Sequence, residues 1–195
     1  MTKQVILITG TPNVGKTTTA KTLVTQLNAT HINLTELATK ENLTLGKDQE
    51  RNTTIIDETK MKKKIQQIIQ QTKTENIVID GHYAVYVTPK QLTTYTFVLR
   101  RNPVELRKTM QESGITGRKL WENLASEILD VCLVDALNEQ DPEKICEIDT
   151  SNKKTAEIVA EILAILNGKT KCHVGIVDWL GKLEKEGILD ECLKI

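Results

Sequence analysis

Residues 5–28 read VILITGTPNVGKTTTAKTLVTQLN, and this stretch decides the fold. VILITG (5–10) is an apolar, β-branched run that halts at a glycine, which predicts a buried strand. Ala20, Leu23, Val24 and Leu27 then recur with helical spacing over 15–28. Between the two, GTPNVGKT (10–17) fits G-x-x-x-x-G-K-[ST], so the glycine-rich turn sits after a strand and before a helix. Backbone N–H groups of such a turn, with the helix N-terminus, form a cradle for a polyphosphate. Gly10 and Gly15 let the chain turn and let oxygens approach where a Cβ would obstruct. Lys16 supplies charge for the β and γ phosphates, and the Thr17 hydroxyl is suited to hold Mg²⁺. A purely structural glycine turn has no use for a lysine at the helix mouth.

A phosphate loop needs a second carboxylate on the metal side. NIVID (76–80) reads as a core strand, and Asp80 ends it at the carboxyl edge, the edge that carries the loop. Asp149, at the end of KICEID (144–149), competes for the role but belongs to a last strand, which tends to be peripheral. Two residues beyond Asp80 stands His82, in IVIDGHYA (77–84). By itself the stretch reads equally as part of a phosphate-transfer site or as ordinary residues at a strand end. His31 and His173 have no comparable setting and read as structural or exposed.

Working outward, HINL (31–34) and YTFVLR (95–100) are further strands, and Pro103 opens the helix after the second. Met61, Ile65, Ile68 and Ile69 mark one face of an amphipathic helix. Leu120, Leu124, Ile128 and Val131 predict another, reaching about residue 138, and Ala156 to Leu166 the last core helix. Strands alternating with helices give an α/β fold: a five-stranded parallel sheet flanked by helices, with right-handed crossovers. The polar text of 35–60 predicts a mobile insertion of short helices and loops, and ESGITG (112–117) a glycine-bracketed break. The expected organisation is a core over 1–166, with an acceptor-binding insertion at about 33–60 and a lid at about 108–118. The tail, 167–195, is expected to patch the core with a short helix lined by Ile176, Leu180 and Leu183.

The bulk numbers narrow the function. Of 195 residues, 39% are hydrophobic and 27% charged, enough core for one ordinary domain. The 26 basic and 26 acidic residues cancel, so no global field draws the chain to nucleic acid or anionic lipid, and aromatics at 3% are too scarce for a base-stacking platform. Without a signal-like or spanning apolar run, the expected location is the cytoplasm, or the nucleus in a eukaryote. Cys132, Cys146, Cys172 and Cys192 lie far apart without C-x-x-C spacing, which predicts reduced thiols rather than a zinc site or a disulfide framework.

The chain has no N/TKxD motif for guanine, which argues against a GTPase, and it is short for a motor or transporter ATPase. A small P-loop nucleotide kinase fold remains. Within it the residues resemble the adenylate kinase isoenzyme 6 group, small nucleotide kinases implicated in small-ribosomal-subunit maturation. GTPNVGKTT (10–18), LATKE (37–41), IIDE (55–58), IDGHYA (79–84), VLRRN (98–102), SGITGRKLWENLASEIL (113–129) and EIDTS (147–151) carry the similarity. It spans nearly all of 3–166. The resemblance implies Mg²⁺-dependent transfer from ATP to AMP, giving two ADP, with possible ATPase activity and a small-subunit ribosomal protein as partner. It puts phosphate contacts on Asn13, Gly15, Lys16, Thr17 and Thr18, magnesium support on Thr17 and Asp80, and ATP hydrolysis on His82.

The departures are as informative. Asn13 stands where the family usually has glycine; asparagine tolerates the left-handed backbone. The family's lid R-G-Y is here Ser113-Gly114-Ile115, so Arg118 and Lys119 become the candidates for the lid cation. The arginine expected in the insertion aligns with Thr39, beside Lys40, and Arg100 and Arg101 are further candidates.

Overall fold

The computed structural model describes residues 3–48 and 53–194. From the amino end, β1 (Gln4–Thr9) runs through the loop into α1 (Lys16–Leu27), then β2 (Thr30–Asn33) and α2 (Leu34–Lys40). A hairpin follows, β3 (Thr44–Asp48) with β4 (Thr53–Ile56), and α3 (Glu58–Gln71) returns the chain to β5 (Asn76–Asp80). After α4 (Ala84–Val87) come β6 (Tyr95–Arg100), α5 (Pro103–Glu112), α6 (Gly117–Ile128), α7 (Val131–Glu139), β7 (Ile145–Asp149) and α8 (Thr155–Leu166). The tail adds α9 (Trp179–Glu186) and α10 (Leu189–Cys192).

The main sheet is five-stranded and all its pairings are parallel, in the order β2-β5-β1-β6-β7. Side chains alternate across a strand, so β1 feeds two cores at once. Val5 and Leu7 pack with Met61, Ile65 and Ile69 of α3. Ile6 and Ile8 pack on the other face with Ala20 and Leu23 of α1 and Ile158 and Ile162 of α8. Burial on both faces is why the strands read as continuous apolar runs. From β1 the chain goes to the β2 side of the sheet, and from β5 it goes to the β6 side. The crevice between the carboxyl ends of β1 and β5 is therefore the topological switch point, where ligands bind in open α/β sheets. Ile8 and Asp80 are partners in register there.

Four expectations are corrected. The insertion contains an antiparallel hairpin, β3–β4, whose register shifts between Thr44 and Gly46. That irregularity breaks the period-two signal in a five-residue strand. The helix expected to reach residue 138 ends at Ile128; Asp130, at φ 57°, reverses the backbone and α7 restarts beyond it. In the tail, α9 buries Trp179 and Leu183, while Ile176 lies outside the helix and Leu180 is exposed. Finally, Cys146 and Cys172 are joined as a disulfide, leaving Cys132 and Cys192 free. The pairing was invisible in the spacing because the chain after α8 folds back beside β7, where the Glu147 N–H donates to the His173 carbonyl at 2.8 Å. Among the described residues no helix is long and apolar enough to cross a membrane.

Candidate active site

Gly10 begins the loop at φ 134°, and a Cβ there would lie 2.4 Å from the Leu99 carbonyl oxygen. Only glycine fits against that backbone. Asn13 takes φ 69°, and Gly15, at φ 103°, opens α1. Asn13 Nδ2 donates to the Thr109 carbonyl at 3.3 Å and to Ser113 Oγ at 2.5 Å, tying the end of α5 to the loop. The half-buried Lys16 folds back over the loop, its Nζ donating to the Gly10 and Thr11 carbonyls at 2.8 Å each. Burial lowers its pKa to about 8, against the raising pull of Cys132, Asp80 and Glu127.

The end of β5 faces the mouth of α1. Asp80 is only 1% exposed, and its Oδ2 accepts from Thr17 Oγ1 at 2.6 Å. Asn33 Nδ2 donates to the same carboxylate at 3.0 and 3.3 Å and to Thr17 Oγ1 at 3.3 Å. His31 Nε2 lies 2.6 Å from Asp80 Oδ1. Contrary to expectation, His31 therefore belongs to the site. Residues two apart on a strand share a face, so β2 presents His31 and Asn33 together toward Asp80. The signal was there in HINL, as two polar residues alternating with apolar ones at a predicted strand end. A hydroxyl beside a carboxylate is a hard-oxygen pair that suits Mg²⁺, which takes few protein ligands and completes its shell with phosphate oxygens and water. Asp149 is instead occupied by Ser151, whose N–H and Oγ donate to it at 2.9 and 2.5 Å.

His82 follows Gly81, which sits against the Leu34 side chain. Its carbonyl accepts from Thr9 Oγ1 at 3.1 Å, and its ring meets Tyr83 edge-on at 4.9 Å between centroids. The ring keeps an edge open to solvent in the cleft. Desolvation, with Lys16 and Lys119 nearby, pushes its pKa down to about 4, so at neutral pH the imidazole is uncharged and can accept a hydrogen bond, though it is a weak base.

Three clefts open around these groups. One of about 390 Å³ runs along Asn13, Gly15, Lys16, Thr17 and Thr18 to Arg101 and Thr109. A second, about 400 Å³, lies under the start of α6 and is bounded by Thr11, His82, Lys119 and Cys132. The third, about 250 Å³, is walled by Thr35, Thr39, Thr54 and Ile56 of the insertion, and it shares His82 and Lys119 with the second.

Not every expected cation reaches this space. Arg118 has a side chain 71% exposed, donates to Glu122 at 2.8 Å and borders a separate depression with Trp121. Lys119, its neighbour, turns inward instead. Arg100 is buried and donates to Glu127, Glu147 and Asp130, so it is a structural cation. Lys40 is exposed at the end of α2. The important residue with no sequence signal is Glu127. It is 1% exposed, accepts from Thr11 Oγ1 at 2.6 Å and the Arg101 N–H at 3.0 Å, and thereby braces the loop from behind.

Known proteins agree with this architecture. Residues 6–130 match the family model described as "AAA domain". A protein named "Putative adenylate kinase" from Methanococcus maripaludis is 38% identical over 181 residues, covering 90% of this chain and 95% of the relative. One of the same name from Methanocaldococcus jannaschii is 38% identical over 177 residues, covering 91% and 93%. A shikimate kinase from Acinetobacter baumannii, solved with shikimate, superposes at a TM-score of 0.62 with 13% identity, over 87% of this chain and 96% of that one. That last likeness concerns the fold alone.

Proposed function

The chain belongs to the adenylate kinase-like P-loop family of these archaeal relatives, and from that premise we propose that it transfers the γ-phosphoryl group of ATP to a nucleoside monophosphate, AMP in the first instance. One observation carries this reading: the insertion walls a small cleft that shares His82 and Lys119 with the cleft bordered by Thr11 and Pro12 of the phosphate loop, which sets an acceptor space beside the donor's loop. Thr17 and Asp80 would hold Mg²⁺, which when bound neutralises charge on the phosphate oxygens. His31 and Asn33 hold the Asp80 carboxylate in one orientation for that purpose. Lys16 exchanges its two carbonyl acceptors for oxygens of the donor's phosphates, which are stronger partners for an ammonium. Lys119 supplies positive charge between donor and acceptor. An oxygen of the acceptor phosphate attacks the γ-phosphorus, the bond to the β–γ bridging oxygen breaks, and ADP leaves with that oxygen.

A second reading, hydrolysis of ATP, is favoured by the uncharged His82 opening onto both clefts. There a water replaces the acceptor and donates a hydrogen bond to the imidazole, which orients it. The water attacks the γ-phosphorus as the bond to the β–γ bridging oxygen breaks; ADP leaves with that oxygen, and the water's proton goes to the released phosphate or to solvent. Among the described residues nothing in the site speaks for the small-subunit ribosomal partner that the resemblance implies.

Purified protein with Mg·ATP, with and without AMP, tests both readings. Two ADP per ATP consumed, only when AMP is present, supports the kinase. Phosphate release without AMP that disappears in His82→Ala supports hydrolysis. Lys16→Ala is expected to abolish either product. Unchanged turnover in that variant would sink both.

A further inference from the structure

In phosphoryl transfer, charge is spread over the equatorial oxygens of the moving group, and cations beyond the loop lysine stabilise it. The chain has five arginines. Arg51 lies outside the described residues. Arg100 is enclosed by three acidic side chains. Arg107 lies over the Trp121 ring at 5.0 Å, and Arg118 is paired with Glu122 on the outer surface. Arg101 remains, and its side chain lines the same cleft as Lys16, Thr17 and Thr18.

We propose that Arg101 grips the polyphosphate of the donor nucleotide, taking the place of the lid arginine that the chain lacks; this rests on the kinase reading above and extends it. The backbone fixes the residue where the role requires it. Arg101 follows the last residue of β6, and its N–H is anchored to Glu127, the carboxylate that also holds Thr11 of the loop. Its guanidinium is held by Nε alone, through a long contact of 3.4 Å to Glu105 Oε2. Glu105 also accepts from the Asn152 N–H at 3.3 Å, so its charge is shared. The two terminal nitrogens of Arg101 have no protein partner among the described residues, which leaves a planar fork for phosphate oxygens.

The opposite wall explains why the cation sits on this side. Ser113, where the resemblance expects the lid arginine, is bonded to Asn13, the residue found where that family usually has glycine. The two departures thus meet in one hydrogen bond that pins the bend after α5 onto the loop. An arginine or lysine at residue 113 would lack the hydroxyl that accepts this bond. With the bend pinned, a guanidinium from the end of β6 reaches the cleft without any closing movement.

The experiment is ATP and ADP binding to the full chain with Mg²⁺, by calorimetry, for wild type, Arg101→Lys, Arg101→Gln and Arg101→Met, with adenosine as the phosphate-free ligand. Arg107→Met, at an arginine that lies over Trp121 and does not line that cleft, is the control. Loss of a charge-assisted fork predicts ATP affinity lower by about 10- to 100-fold in Arg101→Met and Arg101→Gln, with partial recovery in Arg101→Lys. Adenosine affinity and the Arg107→Met protein are expected to be unchanged. Wild-type ATP affinity in all three folded Arg101 variants, while Lys16→Ala loses binding, overturns the inference and leaves the kinase reading intact. Absence of ATP binding by the wild-type chain overturns the kinase reading and this inference with it. Equal losses for ATP and adenosine would show a structural role and also count against it.

Discussion

His31 makes Asp80 a held carboxylate rather than a free one. With Thr17, Asn33 and His31 on its two oxygens, the carboxylate has one rotamer and little freedom to turn. Partners of this kind typically affect metal affinity or activity by about 10- to 100-fold. His31→Ala is therefore expected to raise the Mg²⁺ concentration for half-maximal turnover by about that factor while ATP binding without metal stays close to wild type. A magnesium titration of activity checks it. Gly10 makes a different demand. A methyl group there would lie 2.4 Å from the Leu99 carbonyl oxygen, and φ 134° is strained for any L side chain. Gly10→Ala should cost about 2 kcal/mol or more of stability in urea unfolding, since neither β1 nor β6 can shift easily in a packed sheet.

Between elements, the decisive link runs from α6 to the loop. Glu127 on α6 binds Thr11 of the loop, the Arg101 N–H after β6, Arg100 Nε at 2.9 Å and Trp179 Nε1 of α9 at 3.1 Å. Each partner is buried or half-buried, so removing the carboxylate leaves the Arg100 charge under-compensated and several donors unpaired. Breaking one partner of a buried ion pair costs about 3–5 kcal/mol. Glu127→Ala is expected to lose stability on that scale. The milder Trp179→Phe removes only one donor and should cost about 1 kcal/mol. If the brace matters to the loop, Trp179→Phe will also weaken ATP binding, and calorimetry on the folded variant reads this directly.

At the scale of the molecule, the tail is part of the domain. Leu183 and Cys192 pack on Ile128 of α6, the Ile176 N–H donates to Glu147 Oε2 at 2.8 Å, and the Cys146–Cys172 disulfide closes 26 residues of sequence. Closing a loop of that length is worth about 3 kcal/mol on chain-entropy grounds. Urea unfolding with and without a reductant should differ by roughly that amount, and Cys172→Ser should abolish the difference. An unchanged midpoint would mean that the hydrogen bonds and α9 hold the tail without the covalent link.

How much of this was legible follows from how local each feature is. The loop, β1 and α1 form one contiguous motif, so GTPNVGKT with its flanking periods was enough to predict a phosphate cradle and a parallel α/β sheet. Asp80 and His82 could be singled out as candidates because a strand end is a short-range feature. His31, Glu127 and Arg101 were not, or only among alternatives, because their roles depend on β2, α6 and β6 being brought to one edge by crossovers. The sequence determined the chemistry on offer: a lysine, a hydroxyl and a carboxylate at the carboxyl end of a sheet. Tertiary structure decided which cations face that chemistry, turning Lys119 and Arg101 toward the clefts, burying Arg100 and sending Arg118 outward. The reason is physical: side-chain direction comes from packing and from acidic partners far away in the chain, and no spacing within the sequence encodes it.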